Sequence, residues 1–71
     1  MREWLKTVRE KKGFSQLGLA NKADIAPSHY NMIETGNRRP SVEVAKRIAD
    51  VLGFEWTRFF ENKESEEEVT L

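Results

Sequence analysis

The sequence predicts an all-α domain of five short helices. Three observations carry the prediction. Apolar residues recur three and four positions apart, and no run of β-branched residues alternates with period two. Ser or Pro stands where periodic stretches begin and Gly where they end. With 71 residues, the chain has room for one small core of marginal stability.

The first helix is predicted from Glu3 to Lys12. Glu3 suits the first turn, Lys11 and Lys12 suit the last, and Gly13 closes it. Leu5 and Val8 form its inner stripe, with Trp4 at the edge. The second helix runs from Gln16 to about Lys22 behind Ser15 as N-cap, with Leu19, Ala20 and Ala23 inward. Gly18 inside it costs about 1 kcal/mol relative to alanine. After a tight turn at Ala23-Asp24-Ile25, the third helix opens on Pro27, where the missing N–H does no harm, and ends at Gly36. Tyr30 and Ile33 point inward; Ser28, Asn31, Met32 and Thr35 point the other way. The fourth helix follows Pro40 and the N-cap Ser41. Its apolar stripe is Val42, Ala45, Ile48, Ala49 and Leu52, and Gly53 stops it. Phe54 plugs the core, and a last helix from about Trp56 to Glu61 adds Phe59 or Phe60.

Composition narrows the function. The net charge of zero hides an asymmetry: residues 1–60 hold eleven of the twelve Lys and Arg but seven of the twelve acids, a balance of +4, and residues 61–71 carry −4. The expected organisation is a basic domain over 1–60 and an acidic, flexible tail over 61–71. There is no cysteine, so disulfides and thiolate metal sites are excluded, and the single histidine excludes a His-rich site. No metal or cofactor is expected. No apolar run approaches the roughly 18 to 20 residues of a membrane span. The opening MREWLKTVREKK is charged throughout, unlike a secretion signal, so the expected location is the cytoplasm. No Ser–His–Asp set, cysteine nucleophile or phosphate loop is present, and nothing singles out a carboxylate pair, so an enzyme is not expected.

Two short helices joined by a three-residue turn make a helix-turn-helix unit, whose second helix enters the major groove of DNA. Groove-facing residues are small and polar, which fits Ser28, Asn31 and Thr35. Pro27 and Met32 suit thymine methyl groups. Asn37, Arg38 and Arg39 lie where flanking phosphates run, and contacts there fix register rather than read bases. Gln16, at the start of the second helix, is a further phosphate-contact candidate.

The stretch REKKGFSQLGLANKADIAPSHYNMIETGNRRPS (9–41), followed by AKRIADVLG (45–53) and the aromatic pair Phe59-Phe60, resembles the Cro/repressor-type helix-turn-helix family of bacterial and phage regulators. The likeness covers about residues 3–60. It implies a five-helix, lambda-repressor-like DNA-binding domain, a double-stranded DNA partner and, as for many members, a homodimer on a two-fold operator. By that resemblance Gln16, Ser28 and Met32 fall on DNA-contacting positions and Pro27 on a base-reading one. His29, Asn37, Arg38 and Arg39 fall in phosphate-contact regions. Arg9 and Glu34 occupy a pair that bridges the first helix to the end of the third. Four positions depart from the pattern: Ala26 replaces the usual Ser or Thr cap, Asp24 the turn glycine, and Leu17-Gly18 a polar pair.

Competing readings stay open. His29 is a phosphate contact, a pH switch, or a partly exposed residue at a helix start. Tyr30 has core spacing rather than base-stacking spacing. Trp4, Trp56, Phe59 and Phe60 are mostly core, with one or two of them, and Val44 and Val51, as candidates for a dimer patch. A protein-interaction module is the alternative function, with a protein partner, as in an antitoxin bound to its toxin, held by the acidic tail or the aromatic face.

Overall fold

Gly36 shows how closely the elements meet: a Cβ there would lie 3.2 Å from the backbone nitrogen of Met1, and its φ of +90° already favours glycine. A computed structural model describes residues 1–61. The helices are α1 (Glu3–Lys11), α2 (Gln16–Ala23), α3 (Pro27–Thr35) and α4 (Val42–Leu52), followed by a 3₁₀ helix (Trp56–Phe60). No strand occurs among the described residues. The predicted fifth α-helix is therefore corrected to a 3₁₀ turn. Four of its five residues, Trp56, Thr57, Phe59 and Phe60, are weaker helix formers, and five residues make little more than one α turn, a length at which 3₁₀ geometry is common. Of the acidic tail, all but Glu61 lies outside the described residues.

α4 packs on α2 and on the 3₁₀ helix, and α3 packs on α2 and α1. One buried cluster joins them: Leu5, Leu19, Ala20, Ala23, Tyr30, Ile33, Ala45, Ile48, Leu52 and Phe59. The stripe of α4 begins at Ala45 and not at Val42, which is 49% exposed. Val42 is the first helical residue and stands a turn ahead of the packed face. Val44 and Val51 are half-buried against the core. Trp4 meets Phe54 and Phe59 edge-on, each at 5.2 Å between ring centroids, and so ties α1 to the C-terminal segment. Arg58 lies 4.5 Å over Trp4, and Lys46 5.1 Å over Trp56.

Local chemistry fixes the helix ends. The Ser15 hydroxyl accepts from the Gly18 amide at 2.9 Å, and Ser41 from that of Val44 at 3.2 Å. A Cβ at position 18 would sit 3.2 Å from the Ser15 hydroxyl, so glycine there makes room for the cap. Asp24 ends α2 at φ 61°, the left-handed conformation that Asp tolerates better than most residues. Arg47 of α4 holds that turn, donating to the Asp24 carbonyl at 3.1 Å. Ala26 precedes α3 without a side-chain cap, and Pro27 opens the helix.

Candidate nucleic-acid interface

α3 (PSHYNMIET) has two faces. Tyr30 and Ile33 are wholly buried, and Glu34 is 1% exposed. Pro27, Ser28 and Asn31 are exposed, and His29, Met32 and Thr35 are half-buried. Glu34 is the helix's one acid, and the fold withdraws it from the outer surface. What remains outside carries no negative charge and is small and polar at Ser28 and Asn31, which suits close approach to base edges.

The buried carboxylate is held from three directions. Arg9 of α1 donates to it twice, from Nε to Oε1 at 2.8 Å and from Nη2 to Oε2 at 3.1 Å. Tyr30 Oη donates to Oε1 at 2.6 Å, and Gln16 Nε2 to Oε2 at 3.0 Å. A third Arg9 nitrogen, Nη1, donates to the Phe14 carbonyl at 2.7 Å. Burial raises the Glu34 pKa, but the hydrogen bonds from Arg9, Tyr30 and Gln16 outweigh it, and the net shift is downward. Arg9 is raised, chiefly by its hydrogen bond to Glu34. Burial, then the bond to Glu34, pushes the Tyr30 phenol upward. The group is thus a fixed anion with fixed donors, and it orients α3 on α1 and α2.

The structure brings Gln16 and Asn31 together: Asn31 Nδ2 donates to Gln16 Oε1 at 3.0 Å. Gln16 therefore bridges Glu34 and the outer face of α3. Its second Nε2 hydrogen remains as a donor. Ser28 lies one turn before Asn31, on the same side of the helix.

The loop after α3 is folded back onto the helix end. The amides of Asn37 and Arg38 both donate to the Met32 carbonyl, at 2.9 and 3.1 Å. Asn37 Nδ2 reaches the Thr35 hydroxyl at 3.2 Å. Arg2 clasps the same region: its backbone amide donates to the Glu34 carbonyl at 2.8 Å, and its guanidinium to the carbonyls of Ile33 and Arg38. Arg38 and Arg39 are both exposed beside the end of α3. Sequence reasoning missed the roles of Arg2, Tyr30 and the Gln16 bridge. Pairings so distant along the chain leave no local pattern, although an aromatic four residues before a buried acid is a weak signal for the Tyr30 bond. Among the described residues no group of His, Cys, Asp or Glu is placed to hold a metal, and no helix is long and apolar enough to cross a membrane.

Known proteins resemble this chain in sequence and in fold. A helix-turn-helix family model matches residues 5–59. The chain is 53% identical over 62 residues to YqaF, an uncharacterised HTH-type transcriptional regulator of Bacillus subtilis (strain 168), spanning 87% of this chain and 82% of that one. It is 40% identical over 55 residues to the HTH-type transcriptional regulator RamB of Mycobacterium tuberculosis, but covers only 12% of RamB's length. The N-terminal DNA-binding domain of SinR from Bacillus subtilis superposes with a TM-score of 0.77 at 29% identity, covering 86% of this chain and 90% of that one. The paired helices α2 and α3, the buried Arg9–Glu34 lock and these likenesses agree: the chain belongs to the Cro/repressor-type helix-turn-helix family of DNA-binding transcriptional regulators.

Proposed function

We propose that this domain is a sequence-specific repressor. It binds a two-fold operator as a homodimer, with α3 of each copy in the major groove of one half-site. The observation that carries the reading is the outer face of α3: uncharged, small and polar at Ser28 and Asn31, flanked by Gln16 and by the Arg38-Arg39 loop. Burial of Glu34 supports it, because an exposed carboxylate on that face would repel phosphate. In this reading Ser28, Asn31, Met32 and Pro27 meet base edges and thymine methyl groups. Gln16, His29, Asn37, Arg38 and Arg39 meet the backbone and set register. Repression follows from occupancy of a promoter.

Selection of bound duplexes from a random pool near physiological salt, followed by sequencing, tests this. The expected result is a two-fold symmetric motif with half-sites about one helical turn apart. A single unpaired half-site would refute the dimer. Capture without enrichment that vanishes at modest salt would leave only non-specific phosphate binding and refute sequence-specific repression.

A further inference from the structure

The buried carboxylate of Glu34 and the exposed amide of Asn31 are joined through a single side chain, Gln16. That link has a direction. An ionised carboxylate accepts hydrogen bonds and cannot donate them. The Gln16 group facing Glu34 must therefore be its NH₂, which turns Gln16 Oε1 outward. Oε1 in turn accepts only a donor, so Asn31 must present its own NH₂ to it. One charge thus removes the flip ambiguity of two amides in series. Arg9, Tyr30 and the body of the fold hold that charge in place.

We propose that Glu34, acting through Gln16, sets the orientation of the Asn31 amide, so that Asn31 reads adenine. The proposal rests on α3 entering the major groove. Held this way, Asn31 keeps Oδ1 and one Nδ2 hydrogen for a base. Adenine offers the complement, an N6 donor and an N7 acceptor side by side. Guanine offers two acceptors, O6 and N7, and its O6 would face Oδ1 with like polarity. A freely turning asparagine would escape that clash by flipping. Here a flip breaks the bond to Gln16. Gln16 is a positioning residue in this scheme, and Asn31 is the reader.

The test uses the selected duplex, with all four base pairs placed in turn at each half-site position. Binding is measured by fluorescence anisotropy for wild type, Asn31→Ala, Gln16→Ala and Gln16→Lys. Wild type should prefer adenine at one position by roughly 5- to 150-fold, the range of a good bidentate contact. Asn31→Ala should abolish that preference and leave the other positions unchanged. Gln16→Ala should erode it at the same position, and should have no further effect there when combined with Asn31→Ala. Gln16→Lys keeps a donor for Glu34 but gives Asn31 no acceptor. It should lose the adenine preference at that position.

Equal weakening of every duplex by Gln16→Ala, with the adenine preference intact, would overturn the relay. So would a position read by Asn31 that prefers another base. Failure of the DNA reading is visible separately, as a wild-type protein that binds all duplexes alike. The relay itself is tested without DNA by the side-chain amide signals of Asn31 in the ¹⁵N spectrum of the free protein. They should shift in Gln16→Ala, and signals that stay in place overturn the proposal.

Discussion

Replacing Glu34 with alanine should bring this protein to the edge of unfolding at room temperature. The side chain is 1% exposed, and its two oxygens accept four hydrogen bonds, from Arg9 Nε, Arg9 Nη2, Tyr30 Oη and Gln16 Nε2. Truncation strands the Arg9 guanidinium, itself 8% exposed, with the Phe14 carbonyl as the hydrogen-bond acceptor left to it. Breaking one side of a buried ion pair costs about 3–5 kcal/mol. A single core of this size rarely supplies more than about 3–5 kcal/mol in total, so the loss consumes nearly all of it. The assay is urea unfolding followed by tryptophan fluorescence, since Trp4 packs against Phe54 and Phe59 and reports loss of the core. Trimethylamine N-oxide restores a folded baseline where the variant lacks one. The companion variant is Arg9→Met with Glu34→Leu. Apolar replacement of a whole buried pair is often neutral or stabilising, so the double variant should recover most of the loss. It should remain about 1–3 kcal/mol short, because the buried Tyr30 hydroxyl keeps no acceptor. A Glu34→Ala cost below about 1 kcal/mol would refute the claim that this carboxylate locks α3 in place, because it is less than one net hydrogen bond to a charged group. A double variant no more stable than the single would show that the stranded charge is not the cause.

Other outcomes are expected on the same reasoning. Arg38→Ala with Arg39→Ala should weaken binding to all duplexes alike and make the slope of log K against log salt shallower by up to about 2; an altered base profile instead would sink their backbone assignment. Acid should destabilise the fold through Glu34: its folded pKa is lowered, so its stabilisation is present above the unfolded carboxylate value near about 4.3 and is lost as pH falls through the folded value. In base, the raised Tyr30 pKa means stability is lost as pH rises from about 10, the unfolded phenol value, through the folded one; Tyr30→Phe should remove that alkaline limb, as melts across pH would show. Ala26→Ser should supply the missing cap of α3 and add about 0.5–2 kcal/mol, whereas Asp24→Ala, at φ 61°, should cost about 1–2 kcal/mol; urea midpoints measure both.

The sequence by itself determined the helical content and the punctuation. Ser15, Ser41, Pro27, Gly36 and Gly53 act through bonds within a turn of themselves, and such effects are written locally. The inward residues Leu19, Ala20, Ile33, Ile48 and Leu52 were legible for the same reason, since helical periodicity marks them. The 3₁₀ geometry of Trp56–Phe60 was not legible, because a five-residue segment carries too little periodic signal to separate two helix types. Nor was the exposure of Val42, which depends on where α2 lies against α4 rather than on the stripe it belongs to.

For the site, the family pattern marked out Arg9 with Glu34 as a pair, and Gln16, Pro27, Ser28 and Met32 one by one. Only the tertiary structure joined Gln16 to Glu34 and to Asn31. Gln16 is eighteen positions from Glu34 and fifteen from Asn31, and the Arg2 guanidinium reaches carbonyls thirty-one and thirty-six positions away. No local pattern encodes such pairings. They exist because packing brings the start of α2 and the first residues of the chain against α3.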